Sequence, residues 1–235
     1  MSQWERYVDA FRKDLGLWAV WEPGDSVDAG DYGRITGGRW LRLGSVWKRL
    51  GEEPSEHIVE SAPIDFQLGS ASASAIGAGA SADHVQALVR LDFKNEHALF
   101  VRATGSRKRE VADLQDLAAR IVARQLDWER HWLLVSSVRV AKVFSVVGAT
   151  AAGSRVEVSG PVPDLQAFLA GGRVGADLTM SGSVGVKFLG RSGAIHVDLV
   201  RILVSPLSRN VVVKRRFGSP DEAIVRVEVV HPSAD

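Results

Sequence analysis

The sequence predicts an α+β domain: a twisted, mostly antiparallel sheet with long two-faced hairpins, one N-terminal helix and one central amphipathic helix. Three observations carry this expectation. Several segments alternate apolar and polar residues with the period of two that puts successive side chains on opposite faces of a strand. Two segments switch to the 3.6-residue period of a helix. At 235 residues, with 46% hydrophobic and 24% charged residues, the chain is long enough for one well-filled core and too apolar to be disordered. A single domain over residues 1–235 is expected, with 218–235 as a regulatory tail.

In order, Trp4, Tyr7, Val8, Phe11 and Leu15 share one face of a helix that Gly16 ends, and Glu5, Arg6, Asp9, Arg12 and Lys13 form its other face. Residues 17–21 and 39–51 read as short strands around the turn-rich stretch 22–33, and 54–63 as a connection. Residues 66–103 predict a hairpin or three-stranded meander. Ala71, Ala73 and Ala75 alternate with Ser70, Ser72 and Ser74, and Val89, Leu91 and Phe93 with Arg90, Asp92 and Lys94. Val111, Leu114, Leu117, Ala118, Ile121, Val122 and Leu126 set the stripe of a helix over 107–127. A long hairpin is expected next, 131–149 returning through 154–160, and then a short helix entered at proline and left at glycine over 161–172. A second two-faced hairpin is read over 173–203. Val174, Ala176, Leu178 and Met180 lie on one side, continued by Val184, Val186 and Phe188, with 194–204 as the return strand. Strands at 210–217 and 222–230 close the chain.

The composition excludes several functions. Lys and Arg outnumber Asp and Glu by only 29 to 28, so no global field draws the chain to nucleic acid, and no nucleic-acid partner is expected. Without cysteine there is no disulfide, thiolate nucleophile or cysteine-based zinc site. The six histidines show no HxH or HExxH spacing. Asp25, Asp28 and Asp31 lack a calcium-loop pattern and read as a turn whose carboxylates cap backbone amides. The glycine-rich run at 75–80 has no lysine and opens no helix pattern, so it makes a poor phosphate cradle. No catalytic residue, metal or cofactor is expected, and the chain is read as not an enzyme. Were it one, Asp31, His131 and Asp198 would be the first residues to inspect. No run approaches 18 uninterrupted apolar residues and no secretory signal opens the chain, so a cytoplasmic location is expected. Any membrane crossing would have to use strands closed into a barrel.

The two alternating hairpins meet the length and two-sidedness of barrel strands, and the Ser, Ala and Gly run is weakly committed to one register. An N-terminal helix with basic residues, a first hairpin, a helix, the strand VSSVRVAKVF with SRVEVSG, and a second hairpin ending in VDLVRILVS resemble, in order along residues 3–204, the pore-forming domain of the gasdermins. At residue level the likeness is confined to the hydrophobic pattern of 133–159 and 195–204. The resemblance implies a cell-death effector, as in bacterial defence, that moves from cytoplasm to membrane when activated. It would oligomerise with its own copies and insert Ala71, Ala73, Ala75, Val89, Leu91 and Phe93 from one hairpin, and Val174, Ala176, Leu178, Met180, Val184, Val186 and Phe188 from the other. Lipid headgroups would meet Arg6, Arg12, Lys13, Lys214, Arg215 and Arg216. The chain departs from the family in two ways: it has no N-terminal cysteine to carry a lipid, and no room for a large C-terminal repressor. Inhibition would then fall to the tail or a partner, and release to a protease. The rival expectation is a protein-binding or scaffold module with a permanent antiparallel sheet, whose edge or face receives a partner.

Overall fold

The computed structural model describes residues 3–20, 26–36, 39–81, 84–124, 126–172, 178–205 and 224–230. Along the chain it runs α1 (Gln3–Leu15), β1 (Trp18–Ala19), β2 (Asp31–Thr36), β3 (Arg39–Ser45), α2 (Val46–Leu50), a 3-10 turn at Pro54–Glu56, β4 (Ile58–Glu60) and β5 (Ile64–Leu68). It continues through β6 (Ser72–Ser81), β7 (His84–Asp92), β8 (Leu99–Val111), α3 (Leu114–Ala123), β9 (Leu133–Ala149) and β10 (Arg155–Pro161). The last described elements are α4 (Val162–Ala170), β11 (Thr179–Gly182), β12 (Val184–Ser205) and β13 (Ile224–Val230). Among the described residues all strand pairings are antiparallel, in a nine-stranded sheet and a four-stranded sheet, in keeping with the expected mostly antiparallel α+β fold.

The large sheet is built around β9. Along one edge it pairs with β12, from Leu133 opposite Arg201 to Ala149 opposite Val184. Along the other it takes β8 over residues 137–148 and β2 at Leu133 and Leu134. Both edges are therefore occupied, which corrects the expected hairpin of 131–149 with 154–160. With no free edge on β9, β10 joins the small sheet, whose order is β11-β10-β7-β6.

The second expected hairpin is corrected as well. Residues 179–182 pair with β10, whereas 184–205 run as one strand beside β9 with no return turn. Gly190 (φ 61°) and Gly193 (φ 118°), which fall between the two strands expected of that hairpin, are absorbed as register shifts in the β12–β9 ladder. A glycine at positive φ suits a bulge as well as it suits a turn, and the long template of β9 decides between them. The helix expected over 107–127 is shorter, because residues 107–111 stay in β8, paired with β9 and β4. Its start is fixed by Asp113, whose Oδ1 accepts from the Asp116 amide at 2.8 Å. Residues 46–50, expected as strand, form α2, held where Trp47 Nε1 donates to the Ala29 carbonyl at 2.8 Å.

The described residues form four apolar clusters. Tyr7, Val8 and Phe11 of α1 bury against Phe144, Val146, Phe188 and Ile195 of the large sheet, the face that the helical spacing predicted. The small sheet and α4 share Val89, Leu91, Val156, Val158 and Phe168. The third packs α2 and α3 on Leu134, Val200 and Ile202, and the fourth joins Trp18, Trp40, Val135 and Val197. Among the described residues no helix is long and apolar enough to cross a membrane.

Polar contacts fix α1 over its cluster. The Tyr7 hydroxyl donates to the Ile195 carbonyl at 3.0 Å, and Asp14 Oδ2 accepts from the Ser70 and Leu99 amides, each at 3.1 Å. Phe11→Ala should lower the free energy of unfolding by about 3–5 kcal/mol, the cost of a large core cavity. Tyr7→Phe should cost only about 1 kcal/mol, because the Ile195 carbonyl keeps a second donor, the Val20 amide at 3.2 Å. Urea unfolding of both variants measures the two costs, and a Phe11→Ala protein as stable as wild type would show that α1 seals nothing.

Candidate functional site

The small sheet is where the structure gathers most of the first set of candidate residues. In the β6–β7 ladder Ala73 stands opposite Leu91 and Ala75 opposite Val89, so the small and large apolar residues share one face, as the alternation required. Val89 and Leu91 are buried on that face, and Ala71 and Phe93, one residue outside the ladder, are buried in the same cluster, whereas Ala73 is exposed. The sheet edge explains the difference: β6 has no further strand beyond it among the described residues, and α4 covers the inner strands.

The second set is divided. Leu178 is buried in the small-sheet cluster, with Met180 and Val184 packed against it, while Val186 and Phe188 belong to the cluster under α1. The Phe188 ring meets Tyr7 edge-on at 5.2 Å between centroids. The chain changes sheet at Gly182 and Ser183, and the clusters divide just after, between Val184 and Val186. Gly182 has φ 100°, and a Cβ there would lie 2.3 Å from the Arg155 carbonyl oxygen, so glycine alone fits where the chain leaves one sheet for the other. Val174 and Ala176 lie outside the described residues.

Of the basic candidates, Arg6, Arg12 and Lys13 sit together on α1, and Lys214, Arg215 and Arg216 lie outside the described residues. Arg12 and Lys13 both bridge to Asp9, at 2.8 and 3.2 Å. Burial alone would raise the Asp9 carboxyl, but its bonds to Lys13 and Arg12 outweigh that and hold it below the usual range. Lys13 Nζ also lies 3.3 Å from His97 Nε2, so this basic end of α1 is tied to the turn before β8.

The residues set aside for an enzyme reading are engaged separately. Asp31 is buried and accepts from Arg42 through both oxygens, at 2.7 and 2.9 Å, and also takes the Asp28 amide, as a capping carboxylate would. His131 pairs with Glu129 at an exposed corner, and Asp198 accepts from the Ser137 hydroxyl. Asp25 lies outside the described residues. Among the described residues no three His, Asp or Glu side chains gather as metal ligands would.

Sequence reasoning missed a polar band on the large sheet. Register places Lys108, Arg139 and His196 side by side across β8, β9 and β12, and Glu110, Ser137 and Asp198 in the next row. The band separates the cluster under α1 from the cluster under α3. Alternation along single strands showed His196 and Asp198 sharing a face, but the neighbours across the ladder depend on pairing that one strand does not encode.

No family model matches the chain, and no curated protein matches it. Among solved structures it is similar to the gasdermin A3 membrane pore, seen by electron cryomicroscopy, at 12% identity and a TM-score of 0.32 over 86% of this chain and 91% of that one. At that similarity the function has to be read from the geometry of the chain itself.

The polar band makes stability depend on acid. Burial pushes the His196 imidazole down to about 4, Asp198 works the other way, and Arg139 and Lys108 reinforce the burial. An unfolded chain would take up this proton near the ordinary value of about 6.5, so folding is disfavoured progressively as pH falls from 6.5 to 4. Wild type should lose roughly 2–3 kcal/mol more than His196→Gln across that window. Urea titrations at pH 7, 5.5 and 4 test this, and parallel losses in the two proteins would remove His196 as the cause.

Proposed function

We propose that the chain is a non-enzymatic, membrane pore-forming effector whose folded monomer stores its membrane strands in the small sheet. The observation that supports this reading is the continuity of the two sheets. Only Ser183 separates β11 from β12, residues 150–154 separate β9 from β10, and residues 93–98 separate β7 from β8. Every strand of the small sheet except β6 thus runs within a few residues into one of the three long strands of the large sheet, and β6 is joined to β7 by residues 82–83 alone. Straightening at Gly182 and Ser183 would turn 179–205 into one strand, far longer than the roughly 9–11 residues that cross a bilayer.

In this reading the basic end of α1 meets anionic headgroups once Arg12 and Lys13 leave Asp9, and copies of the chain close a barrel so that no strand edge is left in lipid. Inhibition rests partly on the tail. Its described part, β13, is paired along 199–205 of β12, so a protease acting there would free the strand edge. Leakage of dye from anionic liposomes, before and after limited proteolysis, tests the reading. No leakage under any cleavage condition would favour the binding or scaffold module.

The hairpin itself offers a sharper test. Ala73 and Ser74 are both exposed in the folded chain, so arginine at either position leaves the monomer core intact. If the alanine face of β6 enters lipid, Ala73→Arg should abolish leakage, since a cation near the midplane costs about 2–4 kcal/mol in every subunit. Ser74→Arg, on the opposite face, should leak with altered ion selectivity. Equal leakage from both variants would overturn the assignment of β6 to the barrel wall.

A further inference from the structure

Large apolar side chains are exposed at five described positions, and all five lie on one flank of β9. Ile35, Leu41 and Leu43 are on β2 and β3, at 36, 39 and 46% exposure; Val59 and Ile64 are on β4 and β5, at 53 and 49%. Single exposed apolar residues are ordinary on any surface, whereas confinement of all of them to one side marks a contact area.

The topology explains how they come together. β12 occupies one edge of β9, and β8 and β2 share the other, one above the next. Beyond β2 lies β3, and beyond β8 lie β4 and β5. The outer edges of β3, β4 and β5 therefore face the same way, and among the described residues none has a second strand neighbour. Unpaired backbone flanked by exposed leucine, valine and isoleucine is the kind of edge that folded proteins blunt or cover.

Charge divides the flank into two halves. Residues 34–43 contain no acidic residue and include Arg34 and Arg42, while 53–65 contain Glu53, Glu56, Glu60 and Asp65 and no Lys or Arg. Glu60 is already bridged to Arg107 and Arg109, which leaves Glu53, Glu56 and Asp65 exposed as the acidic half. On the basic half Arg42 is likewise bridged, to Asp31, which leaves Arg34, exposed opposite Leu41 in the ladder, to carry the charge of that half.

We infer that two copies of the chain associate edge to edge through this flank about a two-fold axis, β3 of each copy lying against β4 and β5 of the other. A two-fold axis exchanges the halves, so each basic, leucine-bearing edge meets an acidic one carrying Val59 and Ile64. The same surface offered to an unrelated protein would need that protein to reproduce both halves, whereas a second copy supplies them already spaced. The inference rests on the folded monomer and is independent of the membrane reading.

Sedimentation equilibrium of the full chain tests it with two double variants at exposed positions, circular dichroism serving to verify the fold of each. Wild type should sediment at twice the monomer mass of 25.4 kDa. Leu41→Glu with Leu43→Glu places acid on the basic edge, and Val59→Lys with Ile64→Lys places base on the acidic edge. Each variant alone should dimerise about 100-fold more weakly, because like charges then face each other at both contacts. Mixed in equal amounts, the two should form a dimer again, since the altered edges match each other and the unaltered ones still match. Wild type that stays monomeric up to its solubility limit overturns the inference, as do variants that dimerise as well as wild type. Assemblies larger than a dimer exclude the two-fold arrangement, and a mixture that stays monomeric excludes the pairing of β3 with β4 and β5.

Discussion

Backbone hydrogen bonds between β9 and β12, the two longest strands, bring residues 133–149 against 184–201 and leave each strand one edge on which the rest of the molecule is assembled. On the free side of β12, β1 and β13 find places, and β13 in turn lies against α3. On the free side of β9, β8 and β2 divide the length between them. The same ladder exiles β10 and β11: β10 finds its partner in β7, and β11 finds its partner in β10. A second sheet is thus a consequence of saturation in the first, since a strand has only two edges and a buried backbone amide left unpaired is costly.

The ladder also sets the electrostatics. Its bulges keep His196 beside Arg139 and Asp198 beside Ser137, so that two rows of polar side chains lie between apolar ground under α1 and under α3. Lys108 and Glu110 pair with each other at 2.6 Å at the margin of the band, while the His196 Nδ1 atom within it has no hydrogen-bond partner among the described residues. Charge at the margin is tolerated because water reaches it, whereas a new charge at the imidazole meets little solvent, and two cations offset the carboxylate of Asp198.

What could be read along the chain was whatever depends on near neighbours. The α1 face of Tyr7, Val8 and Phe11, the α3 stripe of Leu117, Ala118 and Ile121, and the proline and glycine limits of α4 are all set within a turn or two of helix. The grouping of Ala73 with Leu91 followed from period and a short turn. What could not be read was partner choice between distant strands. Nothing local in SRVEVSG says that Val156 lies opposite Leu91 rather than beside β9, and nothing in GRSGA separates a turn from a pair of bulges. Residues 46–50 failed for another reason: RWLRLGSVWKRLG reads as short strands separated by loops, and the bond from Trp47 to the Ala29 carbonyl, outside that segment, favours the helix. The candidate site shows the same limit, its faces legible and its division between two clusters not.

The Tyr7 hydroxyl reaches a carbonyl 188 residues further along, and this separation has a meaning for biosynthesis. A ribosome adds roughly 5–20 residues per second, so α1 emerges about 10–40 s before the strand that will hold it. Throughout that interval Tyr7, Val8 and Phe11 have no completed surface to rest on, and the alanine-serine segment of β6 has no finished sheet behind it. The nascent chain therefore passes through a long stage in which β6 is exposed before its framework exists, a stage in which a chaperone would have most to protect.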